Sequence, residues 1–254
     1  MILDLFKLDG KVALVTGAGQ GLGQGMAIAL AEAGADIASL DRVGCDETCE
    51  TVRALGRRYH ESVVDLREAS VDDLNKVVAN IVKELGRIDI LVNNAGTIRR
   101  TPAIDFSEKD WDDVLQINLK AAFFLSQAVA RVMMSQSSGK IINIASMLSF
   151  QGGITVPSYT AAKSALAGVT RALANEWAKY NININAIAPG YMATDNTAAL
   201  RADSNRSTSI LERVPAGRWG TPDDLKGAVV FLASSASDYM HGAIVPVDGG
   251  WLTR

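Results

Sequence analysis

"KVALVTGAGQGLGQGMAIALAEAGADIASLD", residues 11–41, joins three local patterns in one short span. Val12 to Val15 form a continuous apolar run, the kind that fits a strand buried on both faces. Glycines at 17, 19, 21 and 23 interrupt it, and apolar residues then recur at helical spacing as far as Ala33. A second apolar run, "ADIASL", ends at Asp41. Strand, glycine turn, helix and strand in that order make a crossover unit for parallel strands. Glycines let the backbone come close to a pyrophosphate, and a helix start offers unpaired N–H groups and the positive end of its dipole. The stretch therefore predicts a dinucleotide site, with Gly17, Gly19, Gln20, Gly21, Leu22 and Gly23 in the turn. The acid roughly 20 residues beyond the turn completes the pattern, because Asp41 can accept from both ribose hydroxyls of an adenosine and repel a 2′-phosphate. NAD is expected over NADP. Arg42 pulls the other way, since a guanidinium there can pair with that phosphate, but Gln20 supplies no second cation.

The same alternation continues outside this unit. Short runs rich in Val and Ile recur at "ESVVD", "DILVNN", "KIINIAS", "INAIAP" and "AIVPVDGG". Helices are expected over residues 21–33, 70–85, 108–135, 158–180 and 222–232. The alternation predicts a doubly wound α/β fold, a mostly parallel sheet of seven strands with helices on both faces. With 254 residues, 48% hydrophobic and six prolines, the chain can bury one large core, so residues 1–254 are read as a single domain. The most irregular stretch, 190–220, is polar and broken by turn residues. Such a segment beyond strand ends suits a lid over a substrate, though a surface excursion without a role has the same appearance.

A formal net charge of −3 gives no basic bias toward nucleic acid or an anionic membrane, and a small-molecule partner is expected. The opening "MILDLFKLDGKVALVTG" carries acids early and lacks a long apolar run, which reads as neither a secretory signal nor a membrane span and points to the cytoplasm. Cys45 and Cys49 are spaced as one helical turn rather than as a zinc site, so they are taken as reduced thiols. His60 and His241, the only histidines, stand far apart without ligand-spaced neighbours, so neither a metal nor a serine–histidine triad is expected.

The chemistry must then use other groups. "YTAAK", 159–163, stacks Tyr159 and Lys163 on one helix face. A phenol has an ordinary pKa of about 10, and a cation held beside it lowers that value and makes it a usable proton carrier. Ser146 follows "KIINIA" and should emerge at a strand end, the side of an open α/β sheet where ligands bind. Asn118 interrupts an apolar helix face in "WDDVLQINLKAAFFLSQ" and needs partners. Taken singly, each has an ordinary explanation as a turn, a helix bracket or a solvated charge.

Together with the glycine spacing TGxxxGxG, these residues resemble the short-chain dehydrogenase/reductase family over essentially the whole chain. The resemblance extends to Asp65 in "VVDL", to "NNAG" at 93–96 and to "PG" at 189–190. It implies a Rossmann-like fold and an NAD-linked redox enzyme acting on CH–OH groups, assembled as a homotetramer. It implies that Asp65 and Leu66 border the adenine, that Asn93, Ala95 and Gly96 pack beside the adenosine ribose, and that Pro189, Gly190, Met192 and Thr194 face the nicotinamide. It also implies a catalytic set of Asn118, Ser146, Tyr159 and Lys163. Tyr159 exchanges the proton, Lys163 supports it and bonds the nicotinamide ribose, Ser146 orients the substrate oxygen, and Asn118 holds a relay water. The variable segments "TIRR", "IASMLSFQGGITVPSYTAAK" and "VPAGRWG" resemble members of the family that act on sugar acids. A carboxylate then needs a cation, and Arg99 and Arg100 after "NNAG" and Arg201 and Arg206 in the lid are candidates, with Arg99 and Arg206 first. Met147 and Gln151 are expected to line the same pocket. Another enzyme on this scaffold, such as a ketoacyl carrier-protein reductase, and a non-catalytic NAD-binding regulator are the alternatives.

Overall fold

The computed structural model describes residues 1–254. Seven strands form one sheet: β1 (Val12–Thr16), β2 (Asp36–Asp41), β3 (Tyr59–Val63), β4 (Ile90–Asn93), β5 (Gly139–Ile144), β6 (Ile182–Pro189) and β7 (Ile244–Val247). Their order is β3-β2-β1-β4-β5-β6-β7, and every pairing is parallel. The order reverses between β1 and β4, which opens a crevice beyond their C-terminal ends where such sheets take ligands.

Strand periodicity of two builds the two sides of the core. Val12 and Leu14 of β1 join Leu40, Leu91 and Ile141 on one face, under α3 (Val71–Leu85) and α5 (Ala122–Gln136). Ala13 and Val15 join Ile37, Val92 and Ile142 on the other, under α1 (Gly21–Glu32). Helix α6 (Pro157–Trp177) runs beside β6, and α9 (Asp223–Ala233) completes the second face. Local signals set the ends of α3: the side chains of Ser70 and Asp73 cap its start reciprocally, and Gly86 ends it at φ 89°.

The expected strands are all present, and the helices differ in three ways. Residues 46–54 form α2 (Asp46–Ala54), whose polar surface, with only Thr48 and Val52 buried, hides its periodicity. The expected continuous helix over 108–135 is α4 (Glu108–Leu115), a π turn (Gln116–Ala121) and then α5. The segment 190–220 is less irregular than its composition suggests, for it holds α7 (Ala198–Ala202) and α8 (Ser204–Arg213) before α9 (Asp223–Ala233). No helix is long and apolar enough to cross a membrane.

Candidate active site

The turn after β1 requires glycine for two reasons. Gly17 and Gly21 have φ of 66° and 59°, the left-handed region. Gly23 is needed for space: a Cβ there would lie 1.9 Å from the Gly17 carbonyl oxygen and 2.4 Å from Asn94 Nδ2. The start of α1 is thus drawn tightly onto the turn. Gln20 occupies its N-cap in extended backbone with no side-chain cap, so the first helical N–H groups fit an anionic ligand. Leu22 packs into the core below. Asn94 is a brace, as its Nδ2 donates to the carbonyls of Thr16 at 2.9 Å and Gly17 at 3.2 Å.

Asp41 faces the same turn. Its carboxylate accepts from the N–H of Gly19 at 3.0 Å and of Arg42 at 2.7 Å, while the Arg42 side chain is exposed. Buried Cys45 lies alongside; burial and the Asp41 charge push its thiol pKa up, which keeps it protonated and unreactive. Asp65 is exposed beyond β3, accepting from the N–H of Arg67, and the Leu66 side chain belongs to the core.

Asn93 is almost fully buried, and its Nδ2 donates to Ser126 Oγ and Asn143 Oδ1, both at 2.9 Å. Asn143 in turn donates to Thr170 at 2.9 Å. This ladder ties β4 and β5 to α5 and α6. It engages the Nδ2 of Asn93 inside the fold, while its Oδ1 is buried without a partner.

Ser146, at the end of β5, accepts from the Leu148 N–H at 3.1 Å and so opens the short turn Met147–Ser149. Two serines fix that turn to α6: Ser149 donates to the Lys163 carbonyl at 2.7 Å, and Ser164 donates to the Leu148 carbonyl at 3.1 Å. Tyr159 and Lys163 lie on α6 as their spacing demands, with Nζ 5.5 Å from the ring centroid. Lys163 is 3% exposed and donates to the Ile144 carbonyl at 2.6 Å. Burial lowers its pKa to about 8.

The phenol does not follow the sequence expectation. Burial pushes the Tyr159 pKa up, and hydrogen bonding with Ser146 and the positive charge of Arg100 offset this only in part. Lys163 donates its hydrogen bond to the strand carbonyl rather than to the phenol oxygen, so lowering by the lysine is not seen.

Asn118 sits in the π turn, which aims it off the regular helix face. Its Nδ2 donates to the carbonyls of Thr97 and Val114, both at 2.9 Å. Its Oδ1 is buried without a partner and would lie 2.7 Å from a Cβ on Gly96. An acceptor of this kind suits a water or another donor.

β6 ends at Pro189, and Gly190 then passes so close to Asp248 that a Cβ would come within 2.5 Å of its Cα. Buried Met192 pairs with Gly220, and Ala193 donates to the Gly220 carbonyl at 2.7 Å. The segment 190–220 therefore leaves and returns at one point. Thr194 at its start reaches the glycine turn, its Cγ2 standing 3.8 Å from a Cβ on Gly21. A cavity of about 140 Å³, lined by Gly190, Tyr191, Arg218 and Asp248 among others, lies at the base of the lid and contains none of the reacting groups.

The substrate candidates separate. Met147 is buried in a small apolar cluster with Ile210, Val214 and Trp251. Gln151 Oε1 accepts from Arg213 Nη2 at 3.4 Å. Arg99 turns away to Asp110 at 3.1 Å, and Arg206 is exposed on α8. Arg100 faces the centre instead: it donates to the lid carbonyl of Asn196 at 3.0 Å, and its charge reaches the phenol. Nothing in the sequence separates the two neighbouring arginines, and Arg213 carried no motif at all.

Comparison with known proteins agrees with this geometry. A family model described as enoyl-(acyl carrier protein) reductase matches residues 17–252. The chain is 62% identical over 255 residues to the 2-dehydro-3-deoxy-D-gluconate 5-dehydrogenases of Escherichia coli and Dickeya dadantii, covering 100% of this chain and of each relative. A solved structure from Agrobacterium tumefaciens, provisionally described as a 2-deoxy-D-gluconate 3-dehydrogenase with bound NADP, superposes with a TM-score of 0.92 at 52% identity, covering 99% of this chain and 100% of the other. With the glycine turn, the reacting set and these relatives in agreement, the chain belongs to the short-chain dehydrogenase/reductase family and is an oxidoreductase acting on CH–OH groups.

Proposed function

We propose that the protein is an NAD-dependent oxidoreductase that interconverts 2-dehydro-3-deoxy-D-gluconate and 3-deoxy-D-glycero-2,5-hexodiulosonate in the breakdown of sugar acids. The observation that carries the reading is the gathering of Ser146, Tyr159, Lys163 and Asn118 beside a lid that Arg100 touches, in a chain 62% identical to dehydrogenases of that name. In the oxidative direction the C5–H bond breaks with its electron pair and the hydroxyl proton leaves, giving a ketone. The nicotinamide supplies the hydride acceptor. Tyr159 takes the proton, with the hydrogen bond to Ser146 and the positive charge of Arg100 favouring the phenolate. Ser146 donates to the substrate oxygen and fixes its position, an electrostatic role rather than a nucleophilic one. Asn118 Oδ1 holds the water that relays the proton from Lys163 to solvent.

The glycine turn and the uncapped start of α1 hold the pyrophosphate, with Asp65, Leu66, Ala95, Gly96 and the backbone of Asn93 around the adenosine. Asp41 favours NAD over NADP, because a 2′-phosphate would meet its carboxylate. NADP in the Agrobacterium structure supports the other choice, as does exposed Arg42. The same reading takes residues 1–254 as one catalytic domain with 190–220 as its lid, assembled as a homotetramer in the cytoplasm.

Arg100 is the residue assigned to the substrate carboxylate, since Arg99 is neutralised by Asp110. The test follows reduction of NAD, and of NADP in parallel, with the sugar acid and its methyl ester in the wild type and in Arg100→Ala. A charge-assisted hydrogen bond is worth roughly 1.5–3 kcal/mol, so the acid should lead the ester by about tenfold to a hundredfold in kcat/KM, and Arg100→Ala should shrink that lead. Equal use of acid and ester by the wild type removes the carboxylate site, and faster turnover with NADP removes the cofactor preference.

A further inference from the structure

Helix α8 is held to the catalytic face by the chain's last residues. The Arg213 guanidinium sits over the Trp251 ring, its Cζ 4.1 Å from the centroid, and makes no ion pair; its one side-chain bond goes to Gln151, five residues past Ser146. Trp251 is 5% exposed and packs edge-on against Tyr191 at 4.8 Å, within the cluster that joins Ile210 and Val214 of the lid to Met147. Arg254 closes the arrangement by donating to the carbonyls of Glu212 at 2.6 Å and Arg213 at 3.3 Å, the open C-terminal end of α8. Side chains adjacent to Ser146, the lid helix and the chain end therefore meet at one indole.

We propose that Arg213 and Trp251 form a latch that sets the position of α8 against the segment that follows Ser146, which makes both of them positioning residues for substrate binding. The inference rests on the reading of 190–220 as a substrate lid. Stacking suits the task because a planar guanidinium gains from lying on an indole face while keeping its N–H donors free, and an ammonium on a flexible stem does so less well. Another tether of the lid, Arg100 to Asn196, lies near its start and away from Arg213, so the latch controls α8 independently of the arginine facing the phenol.

The test compares wild type, Arg213→Ala and Arg213→Lys, each also carrying Trp251→Leu. It measures kcat and KM for 2-dehydro-3-deoxy-D-gluconate and its methyl ester, NADH dissociation by fluorescence, and hydrogen exchange over 198–213 in the NADH complex. Arg213→Ala should raise KM about three- to tenfold for acid and ester alike, with kcat and NADH affinity within about twofold. Exchange across 198–213 should quicken, Arg213→Lys should recover part of both effects, and Arg213→Ala should add nothing once Trp251 is Leu. Unchanged exchange in Arg213→Ala overturns the latch. A KM increase confined to the acid also overturns it, because Arg213 would then contact the carboxylate directly. If the wild type turns over neither compound, the assigned substrate is wrong, and the exchange result alone still decides the latch.

Discussion

Tyr159 and Lys163 were legible as a pair because helical spacing alone puts residues four apart on one face. Their protonation was not legible, since it depends on burial and on what else each group touches. Burial disfavours the charged form of both, so the phenol keeps its proton and the ammonium loses its own above about pH 8. Oxidation of the substrate needs the phenolate and reduction needs the phenol. The rate of oxidation is therefore expected to rise with pH and that of reduction to fall, whereas parallel pH trends in the two directions would contradict the role of Tyr159. Tyr159→Phe should keep the fold and NADH affinity and lose about 10²–10⁴-fold in turnover. Near-normal turnover would take Tyr159 out of the mechanism. The arginines teach the same lesson in charge: adjacent residues in "TIRR" point to Asp110 and to the lid, and only packing separates them.

At the scale of elements, the glycine turn could be read in advance because its constraint is steric and local. The strands could be read because β1 and β4 are buried along their whole length and so open on apolar runs, Val12 to Val15 and Ile90 to Val92, while the equally buried β6 satisfies Asn183 and Asn185 with hydrogen bonds. The π turn over 116–121 could not, because one extra residue in a helical turn leaves the apolar periodicity nearly intact while redirecting Asn118. That redirection gives a specific prediction. A methyl group at position 96 would stand 2.7 Å from Asn118 Oδ1, and the amide is held by two carbonyls 2.9 Å away, so it cannot retreat freely. Gly96→Ala should therefore lower kcat by at least about tenfold, as a displaced proton relay would. NADH affinity should also fall, because Gly96 follows Ala95, which touches the glycine turn at Gly17, but it should fall less than kcat. A variant that loses NADH affinity and keeps kcat would show that Gly96 serves the ribose and not Asn118.

At the scale of the molecule, the two apolar layers are not separable, since alternate residues of the same strand supply each of them: Val12 and Leu14 one, Ala13 and Val15 the other. Stripping helices from one face exposes a sheet that the other face also needs. The smaller cluster of Met147, Ile210, Val214 and Trp251 is the part able to loosen first, because it connects the lid to the sheet end through few residues. The segment 190–220 nevertheless starts at β6, pairs with itself at Met192 and Gly220, and brings Thr194 against the glycine turn, so a dinucleotide there should stiffen both regions together. Thermal unfolding followed by far-ultraviolet circular dichroism and by tryptophan fluorescence should give coincident transitions, Trp219 and Trp251 reporting on the lid cluster and Trp177 on the core. NADH at a hundred times its dissociation constant should add about 2.7 kcal/mol, which for a chain of this size raises Tm by roughly 5–10 °C in both signals. An early fluorescence transition that NADH leaves in place would separate the lid from the cofactor site and divide the chain into two cooperative units.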